Sequence, residues 1–107
     1  MATHIRVILI DPVEKTITEH TIPDNLQAYY KLIGCELVES VRPTSLKKGN
    51  SLYVDEERTF KDDLHYFDME GWGTLVGKAI VLRHNADGES VSTTETVGSI
   101  TRLVTFE

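Results

Sequence analysis

Hydrophobic and polar residues follow a strand-like arrangement at the start of the chain. The run "IRVILID", residues 5–11, is rich in β-branched residues and almost continuously apolar, which is typical of a strand covered on both faces. The run "TITEHTI", residues 16–22, alternates between two faces, and Pro12 stands at the second position of the turn between the runs. These features predict a β-hairpin whose first strand lies in the interior of a sheet.

The segment "PDNLQAYYKLIG" predicts a helix over residues 24–34. Asp24 is a suitable N-cap, and Gln27 three positions later completes a capping-box pattern. Gly34 can take the positive φ that ends such a helix. Four apolar side chains recur at helical spacing and form one stripe: Leu26, Tyr29, Tyr30 and Ile33. We expect this helix to pack across one face of the sheet.

Three further strands are predicted in "ELVESVRP", "SLYVDEE" and "GKAIVLRHN", the last of which is closed by the turn "NADG". The tail after them is ambiguous. Ser92 and Glu95 form a capping-box pattern before apolar residues at helical spacing, but the many Thr and Val residues and Gly98 are poor helix formers. A short C-terminal helix is the favoured interpretation. The predicted fold is a single α+β domain, residues 1–107, with a mainly antiparallel sheet of about five strands.

Composition narrows the class of protein. The chain has 107 residues, of which 40% are hydrophobic and 26% charged, and this composition is typical of a soluble globular domain. No apolar run approaches the ~20 residues of a membrane span, no signal peptide is evident, and the single cysteine, Cys35, cannot form an internal disulfide. We expect a cytoplasmic protein that does not bind a membrane.

The charge is acidic and unevenly distributed. A net charge of −6 argues against direct binding to nucleic acid, which requires a basic face. Residues 55–70 contain seven acids and two bases, a net charge of −5, so this one segment holds nearly the whole imbalance.

Several of these segments resemble a known group of domains. The strand "IRVILID", the helix that ends at Gly34 and the strand "ELVESV" are similar to a family of small uncharacterised α+β domains encoded by bacteriophages, plasmids and other mobile elements. Looser similarities follow in "SLYVDEE" and "GKAIVLRHN". The resemblance implies an α+β domain from a mobile element, and it implies no catalytic residue.

Catalytic and metal-binding signatures are missing from the sequence. There is no Gly-x-Ser-x-Gly, P-loop or Gly-x-Gly-x-x-Gly motif, and no histidine pairs with another or with cysteine at zinc-ligand spacing. His65 lies among acids that could hold a hard cation, but their spacing does not match a calcium loop and favours a solvated acidic face: Asp62, Asp63, Asp68 and Glu70. We expect a protein that is not an enzyme and that carries no metal or cofactor.

The stretch "EGWG" holds the only tryptophan. Because Gly71 and Gly73 flank Trp72, fixing its side chain in a core would have a large entropic cost. We expect Trp72 to be partly exposed and to take part in a ligand site or a subunit contact; the alternative is a side chain folded back over the edge of the core. Other aromatic and basic residues could complete a site for a planar, charged ligand: Tyr53, Tyr66, Arg42, Lys47, Lys48, Lys78 and Arg83.

Two functions are open at this point. The first is a non-enzymatic binding protein of a phage or mobile element that sequesters a small nucleotide-type signal in counter-defence, with base stacking worth ~1–3 kcal/mol per base. The second is an acidic inhibitor that uses residues 55–70 to occupy a basic groove on a host nucleic-acid-binding or defence protein. Either protein could be a homo-oligomer.

Overall fold

Nine strands and two helices make up the part of the chain that the computed structural model describes, residues 4–57 and 65–106. In chain order the elements are β1 (His4–Asp11), β2 (Thr16–Pro23), α1 (Leu26–Ile33), β3 (Val38–Val41), β4 (Asn50–Asp55), β5 (Tyr66–Met69), β6 (Gly73–Val76), β7 (Ala79–His84), β8 (Ser90–Val91), α2 (Val97–Thr101) and β9 (Val104–Phe106). The α+β class and the antiparallel pairing are confirmed, but the prediction of about five strands is wrong. The strands β5, β6, β8 and β9 have only two to four residues each, which is too short to show a clear periodicity.

Six of the strands form the main sheet. Its order is β2-β1-β7-β4-β3, with β8 paired to the end of β7, and the strands pair antiparallel. The strand β1 lies between β2 and β7 and is buried over most of its length, so the predicted hairpin and interior strand are confirmed. The hairpin turn is held by Asp11, whose Oδ1 accepts hydrogen bonds from the backbone N–H groups of Val13 (3.0 Å) and Glu14 (3.2 Å).

Helix α1 begins with a different cap from the one predicted. Asn25, not Asp24, is the N-cap, and its side chain accepts a hydrogen bond from the Ala28 N–H at 2.9 Å. The Asp24 carboxylate instead accepts a hydrogen bond from the Tyr29 hydroxyl, which withdraws it from the helix terminus. The predicted end of the helix is confirmed, since Gly34 adopts a left-handed conformation with φ of 80°.

The predicted apolar stripe of α1 is only partly buried. Tyr29 and Ile33 are buried against the main sheet, whereas Tyr30 is half-buried and Leu26, in the first turn, is exposed. The helix therefore contacts the sheet mainly through its second half. No helix in the described part of the chain is both long and apolar enough to cross a lipid bilayer.

The second sheet has the order β6-β5-β9 and covers the face of the main sheet opposite α1. Helix α2 lies on this side as well, with Ile100 fully buried. The short C-terminal helix is thus confirmed, but its capping box is formed by Thr96 and Ser99, so the predicted Ser92–Glu95 box is wrong.

Ser92 and Glu95 are occupied by longer-range hydrogen bonds instead. The Ser92 hydroxyl accepts a hydrogen bond from the Arg6 backbone N–H at 2.9 Å. The buried Glu95 carboxylate accepts from the Lys47 backbone N–H at 2.6 Å and from the Ser99 hydroxyl at 2.7 Å. Both residues connect the tail to distant parts of the main sheet, which a local capping pattern cannot reveal.

The apolar core consequently forms two clusters, one on each side of the main sheet. Among the described residues, eleven buried side chains lie between the two sheets, including Phe67, Met69 and Leu75 of the second sheet. A further seven of the described residues lie under α1, including Tyr29 and Leu82. Burial of apolar surface on both sides is the main stabilising contribution to such a layered domain.

Candidate functional site

A pocket opens on the α1 side of the main sheet, where the end of β3, the start of β4 and the end of β7 meet. Antiparallel register brings these ends together: Ser40 pairs with Tyr53, and the His84 N–H donates to the Gly49 carbonyl at 3.0 Å. The pocket has a volume of about 480 Å³, and its lining includes Ser40, Arg42, Tyr53, His84, Asn85 and Gly88. We call it the Arg42 pocket.

Alternation along β7 explains why a histidine stands here. Ile80 and Leu82 pack in the cluster under α1, and the next residue on this face of the strand is His84, because successive side chains point to opposite faces. His84 lies beyond the helix, where the face becomes polar and only half-buried. The end of β7 therefore presents an imidazole to the pocket.

Three rings form a row from the helix to the pocket. The Tyr29 and Tyr53 ring centroids are 5.5 Å apart with the planes at 71°, an edge-to-face contact. The Tyr53 and His84 centroids are 5.8 Å apart, and Tyr53 Oη lies 3.0 Å from His84 Nε2. Edge-to-face aromatic pairs contribute about 0.5–1.5 kcal/mol beyond their buried area, so the contact with Tyr29 of α1 helps to fix the position of the Tyr53 ring. The hydrogen bond from Tyr53 then helps to orient the His84 imidazole.

The surroundings keep this row neutral. Burial lowers the pKa of His84 below its usual value, and the positive charge of Arg42 lowers it further, whereas Asp24 acts in the opposite direction. Burial also raises the pKa of the Tyr29 phenol, and the hydrogen bond to Asp24 adds to that effect. Both side chains are therefore uncharged at about pH 7.

The Arg42 guanidinium is the cation of the pocket. Arg42 directly follows β3 and is exposed, and within the described ranges its side chain makes no hydrogen bond or salt bridge. A guanidinium presents five N–H donors in a planar fork that matches carboxylate and phosphate oxygens. An unpaired fork beside two neutral ring systems is suited to an anion that also has a planar part.

The β7–β8 turn forms a well-fixed rim. Asn85 Oδ1 accepts hydrogen bonds from the backbone N–H groups of Asp87 and Glu89, both at 3.0 Å. Gly88 has a φ of 82° and donates to the Asn85 carbonyl at 3.0 Å. The predicted "NADG" turn is confirmed, and hydrogen bonds within the turn fix the rim of the pocket.

Ser51 is a buried polar residue of β4, between Asn50 and Leu52 and outside the lining of the pocket. It lies two residues before Tyr53, hence on the same face of β4, and pairs with Leu82. Its Oγ has no hydrogen-bond partner among the described residues. Leaving a buried hydroxyl without a partner costs about 1–3 kcal/mol, and such groups are rare enough in proteins to call for an explanation.

Ser90 provides a second hydroxyl near the imidazole. Ser90 Oγ lies 3.4 Å from His84 Nε2, but the same nitrogen is closer to Tyr53 Oη. The nearby carboxylate of Asp24 accepts from Tyr29. A serine nucleophile needs a base that is itself oriented by a third group, and the arrangement around His84 supplies the carboxylate to a different residue.

The Trp72 turn, residues 70–73, joins β5 to β6 in the second sheet, on the face of the main sheet opposite the Arg42 pocket. The Gly71 carbonyl accepts a hydrogen bond from the Thr44 N–H at 3.2 Å. A Cβ on Gly71 would lie 2.7 Å from the Ser45 backbone nitrogen, and its φ is 81°, so both contact and conformation require glycine. The Trp72 side chain is 49% exposed. Its predicted exposure is confirmed, while its role in a ligand site or subunit contact stays a prediction.

The predicted cations are dispersed. Lys47 Nζ donates to the Thr94 carbonyl at 3.4 Å, Lys78 Nζ lies 3.9 Å from an Asp11 carboxylate oxygen, and Arg83 Nε donates to the Ser92 carbonyl at 3.3 Å. Lys48 is exposed in the β3–β4 loop. The structure does not bring these four side chains together around one ligand.

The predicted aromatic residues also separate. Tyr53 lines the Arg42 pocket. Tyr66 pairs with Val76 at one end of the β5–β6 hairpin, whereas the Trp72 turn, with Gly71 and Gly73, forms the other end. Of the predicted aromatic residues, only Tyr53 therefore belongs to the pocket that the described residues form.

Sequence reasoning missed the roles of His84, Asn85 and Ser40. A signal was present for His84, because the alternation of "AIVLRH" places it on the same face as Ile80 and Leu82. For Ser40 and Asn85 no local signal exists, since their meeting depends on the register of β3, β4 and β7.

The acidic segment is only partly described. Residues 58–64, which include Asp62 and Asp63, lie outside the described ranges. Asp55 is buried, with Oδ1 accepting from the Glu57 N–H at 2.9 Å, and Asp68 accepts from the Thr74 hydroxyl at 2.6 Å. Of the five acids of this segment that the structure describes, Asp55 and Asp68 are thus engaged in local hydrogen bonds.

A family model described as a domain of unknown function, DUF3846, matches residues 5–105. The chain belongs to the DUF3846 family. No curated protein and no solved structure matches it. The DUF3846 match extends from β1 to β9, so both sheets and the Arg42 pocket lie within the family's domain.

Proposed function

We propose that this DUF3846 protein is a non-enzymatic binding protein that holds a small nucleotide-type anion in the Arg42 pocket. The observation that supports this most is the convergence of Arg42 with Tyr53 and His84 in one pocket. The Arg42 guanidinium has no hydrogen-bond or salt-bridge partner among the described residues. The guanidinium matches phosphate oxygens, and the rings match a planar base or a sugar edge.

The size of the pocket fits this class of ligand. Its volume of about 480 Å³ falls in the range of about 300–1,000 Å³ that small-molecule sites occupy. The rim is already held by the Asn85 hydrogen bonds, and a preorganised site loses less free energy on binding because less of it must be ordered.

The biological setting is part of the proposal. We propose that the protein acts for a bacteriophage or another mobile element, in the host cytoplasm, by sequestering a nucleotide signal of host defence. This setting is supported by the resemblance of "IRVILID", the helix ending at Gly34 and "ELVESV" to domains of such elements, which is an argument by analogy.

The acidic-inhibitor hypothesis stays a prediction. It depends on residues 55–70, of which 58–64 lie outside the described ranges. Asp55 is buried, whereas the other described acids of the segment are exposed: Glu56, Glu57, Asp68 and Glu70.

Isothermal titration calorimetry against cyclic nucleotides and ADP-ribose tests the ligand proposal. We expect at least one compound to bind, and Arg42→Gln to weaken it about ten- to a hundredfold, because a hydrogen bond to a charged group contributes about 1.5–3 kcal/mol. Arg102→Gln is the matched control, since Arg102 is an exposed arginine beside α2, on the other side of the main sheet. Flat titrations with every compound, or equal losses in both variants, would remove the proposal.

A further inference from the structure

We propose that anion capture in the Arg42 pocket takes up a proton at His84 and thereby turns the Tyr53 hydroxyl proton toward the bound anion. This inference rests on the proposed function, because it concerns the same pocket and the same class of ligand. It makes the affinity for that ligand depend on pH.

The contact between His84 and Tyr53 provides the mechanism. His84 Nε2 and Tyr53 Oη are 3.0 Å apart. In a neutral ring that carries its proton on Nδ1, Nε2 accepts the hydrogen bond and the phenol donates it. In a protonated ring Nε2 is a donor, and Tyr53 Oη becomes the acceptor because it lies closer to Nε2 than Ser90 Oγ does. The phenol proton is then free to point elsewhere, and Tyr53 lines the pocket.

A bound anion supplies the driving force. In the free protein, burial and the positive charge of Arg42 both hold His84 in its neutral form. An anion paired with the guanidinium cancels the repulsion from Arg42, and its own charge attracts a proton, since an opposite charge within about 4–6 Å favours the charged form of a side chain. The imidazolium and the reoriented phenol both then favour the anion.

Other charged or titratable groups lie near the His84 ring, both in the free protein and in the complex with the anion. Asp24, which precedes α1, favours the protonated ring, and Tyr29 of α1 stays neutral because its pKa is raised. The adjacent turn carries two exposed acids, Asp87 and Glu89, and the Glu89 carboxylate accepts from the Asn85 amide at 3.3 Å. Because these charges are present before and after binding, the change in proton affinity comes from the anion.

The sign of the pH dependence follows from this linkage. The complex holds more protons than the free protein between the pKa of His84 in the free protein and its higher value in the complex. Affinity therefore rises as pH falls through that interval, by at most about tenfold per pH unit for one linked proton. Below the free protein's pKa both forms are protonated and the affinity levels off.

Calorimetry with cyclic AMP and ADP-ribose, repeated between about pH 5 and 8, tests the inference. The phosphodiester charges of these two probes do not change in that interval, so any proton taken up belongs to the protein. Repeating each titration in buffers of different ionisation enthalpy counts the protons. We expect uptake of a fraction of one proton, and loss of both the uptake and the pH dependence in His84→Gln. His20→Gln is the matched control, because His20 is hydrogen-bonded to Thr18 on β2, outside the pocket lining.

A second measurement does not depend on a variant that folds. The His84 ring titration, followed by NMR in the wild-type protein, should move to higher pH when a bound probe is present. Binding with no proton uptake and an unmoved titration would overturn the inference and leave the proposed function standing. Proton uptake that persists in His84→Gln would also overturn it. Absence of binding at every pH would overturn the proposed function itself.

Discussion

The two faces of the main sheet are closed to different extents. On the face toward the second sheet, the side chains of β5, β6 and α2 complete an apolar layer in which Phe67, Leu75 and Ile100 are almost completely buried. On the face toward α1, the apolar layer ends at Leu82, and the next position along β7 is His84, which is half-exposed beside Arg42. The candidate site lies where the sheet extends beyond the element that covers it.

The small size of α1 contributes to the difference. A helix of eight residues is about 12 Å long, and it packs mainly against β4 and β7. Arg42 and His84, at the ends of their strands, are not buried beneath it. Polar residues at the uncovered positions avoid an exposed apolar patch, and the same residues line the Arg42 pocket.

The largest effect should come from opening the closed face. Phe67→Ala should lower the free energy of unfolding by ~3–5 kcal/mol, because it removes a large buried side chain and leaves a cavity between the sheets. Urea denaturation followed by circular dichroism measures the change. Tyr66→Ala is the matched control, since Tyr66 is the neighbouring residue of β5 and faces solvent. Equal losses in the two variants would show that the second sheet does not close this face.

The closed face was also the harder one to predict from the sequence. The hairpin, α1 and the interior position of β1 follow from strong local patterns, such as the apolar run 5–11 and Gly34. The second sheet does not, because β5 carries its inward residues Phe67 and Met69 in only four positions and lies in a segment dominated by acids. The last strand, β9, was hidden within a pattern that also suited a helix.

Within the candidate site, Tyr53 was predicted as a binding residue and Arg42 as a possible phosphate-neutralising cation, but not their meeting. Ser40 meets Tyr53 across the β3–β4 pair. Tyr53 meets His84 across the β4–β7 pair, although the two residues are 31 positions apart in the sequence. Only the register of the sheet brings such residues together. The exposure of Trp72, by contrast, could be predicted from its immediate neighbours in the sequence, Gly71 and Gly73.

An intermediate effect should come from the contact between the Trp72 turn and the loop after β3. Gly71 and Gly34 have nearly the same φ, 81° and 80°, but a Cβ on Gly71 would meet the Ser45 backbone nitrogen at 2.7 Å, whereas Gly34 has open space around it. Gly34→Ala should cost about 1–2 kcal/mol through backbone strain alone. Gly71→Ala should cost about 1–3 kcal/mol more, because the loop after β3 must move. The difference between the two denaturation midpoints measures the contact, and equal midpoints would show that the Trp72 turn is not seated on that loop.

The smallest effect on stability should come from Trp72→Ala. The side chain is 49% exposed, and the turn is held by backbone hydrogen bonds from Trp72 N–H to the Met69 carbonyl and from Thr44 N–H to the Gly71 carbonyl, neither of which needs the indole. We expect a loss of about 1 kcal/mol or less, well below the value for a buried aromatic. Trp72 does not line the Arg42 pocket. Of its two predicted roles, a ligand site or a subunit contact, the second is the one tested next, since Trp is enriched at interface hot spots. Sedimentation at increasing concentration should then show association of the wild-type protein that Trp72→Ala weakens and Trp72→Phe largely retains. A wild-type protein that stays monomeric, with a blue-shifted and quencher-resistant tryptophan emission, would show that the indole belongs to the closed face after all.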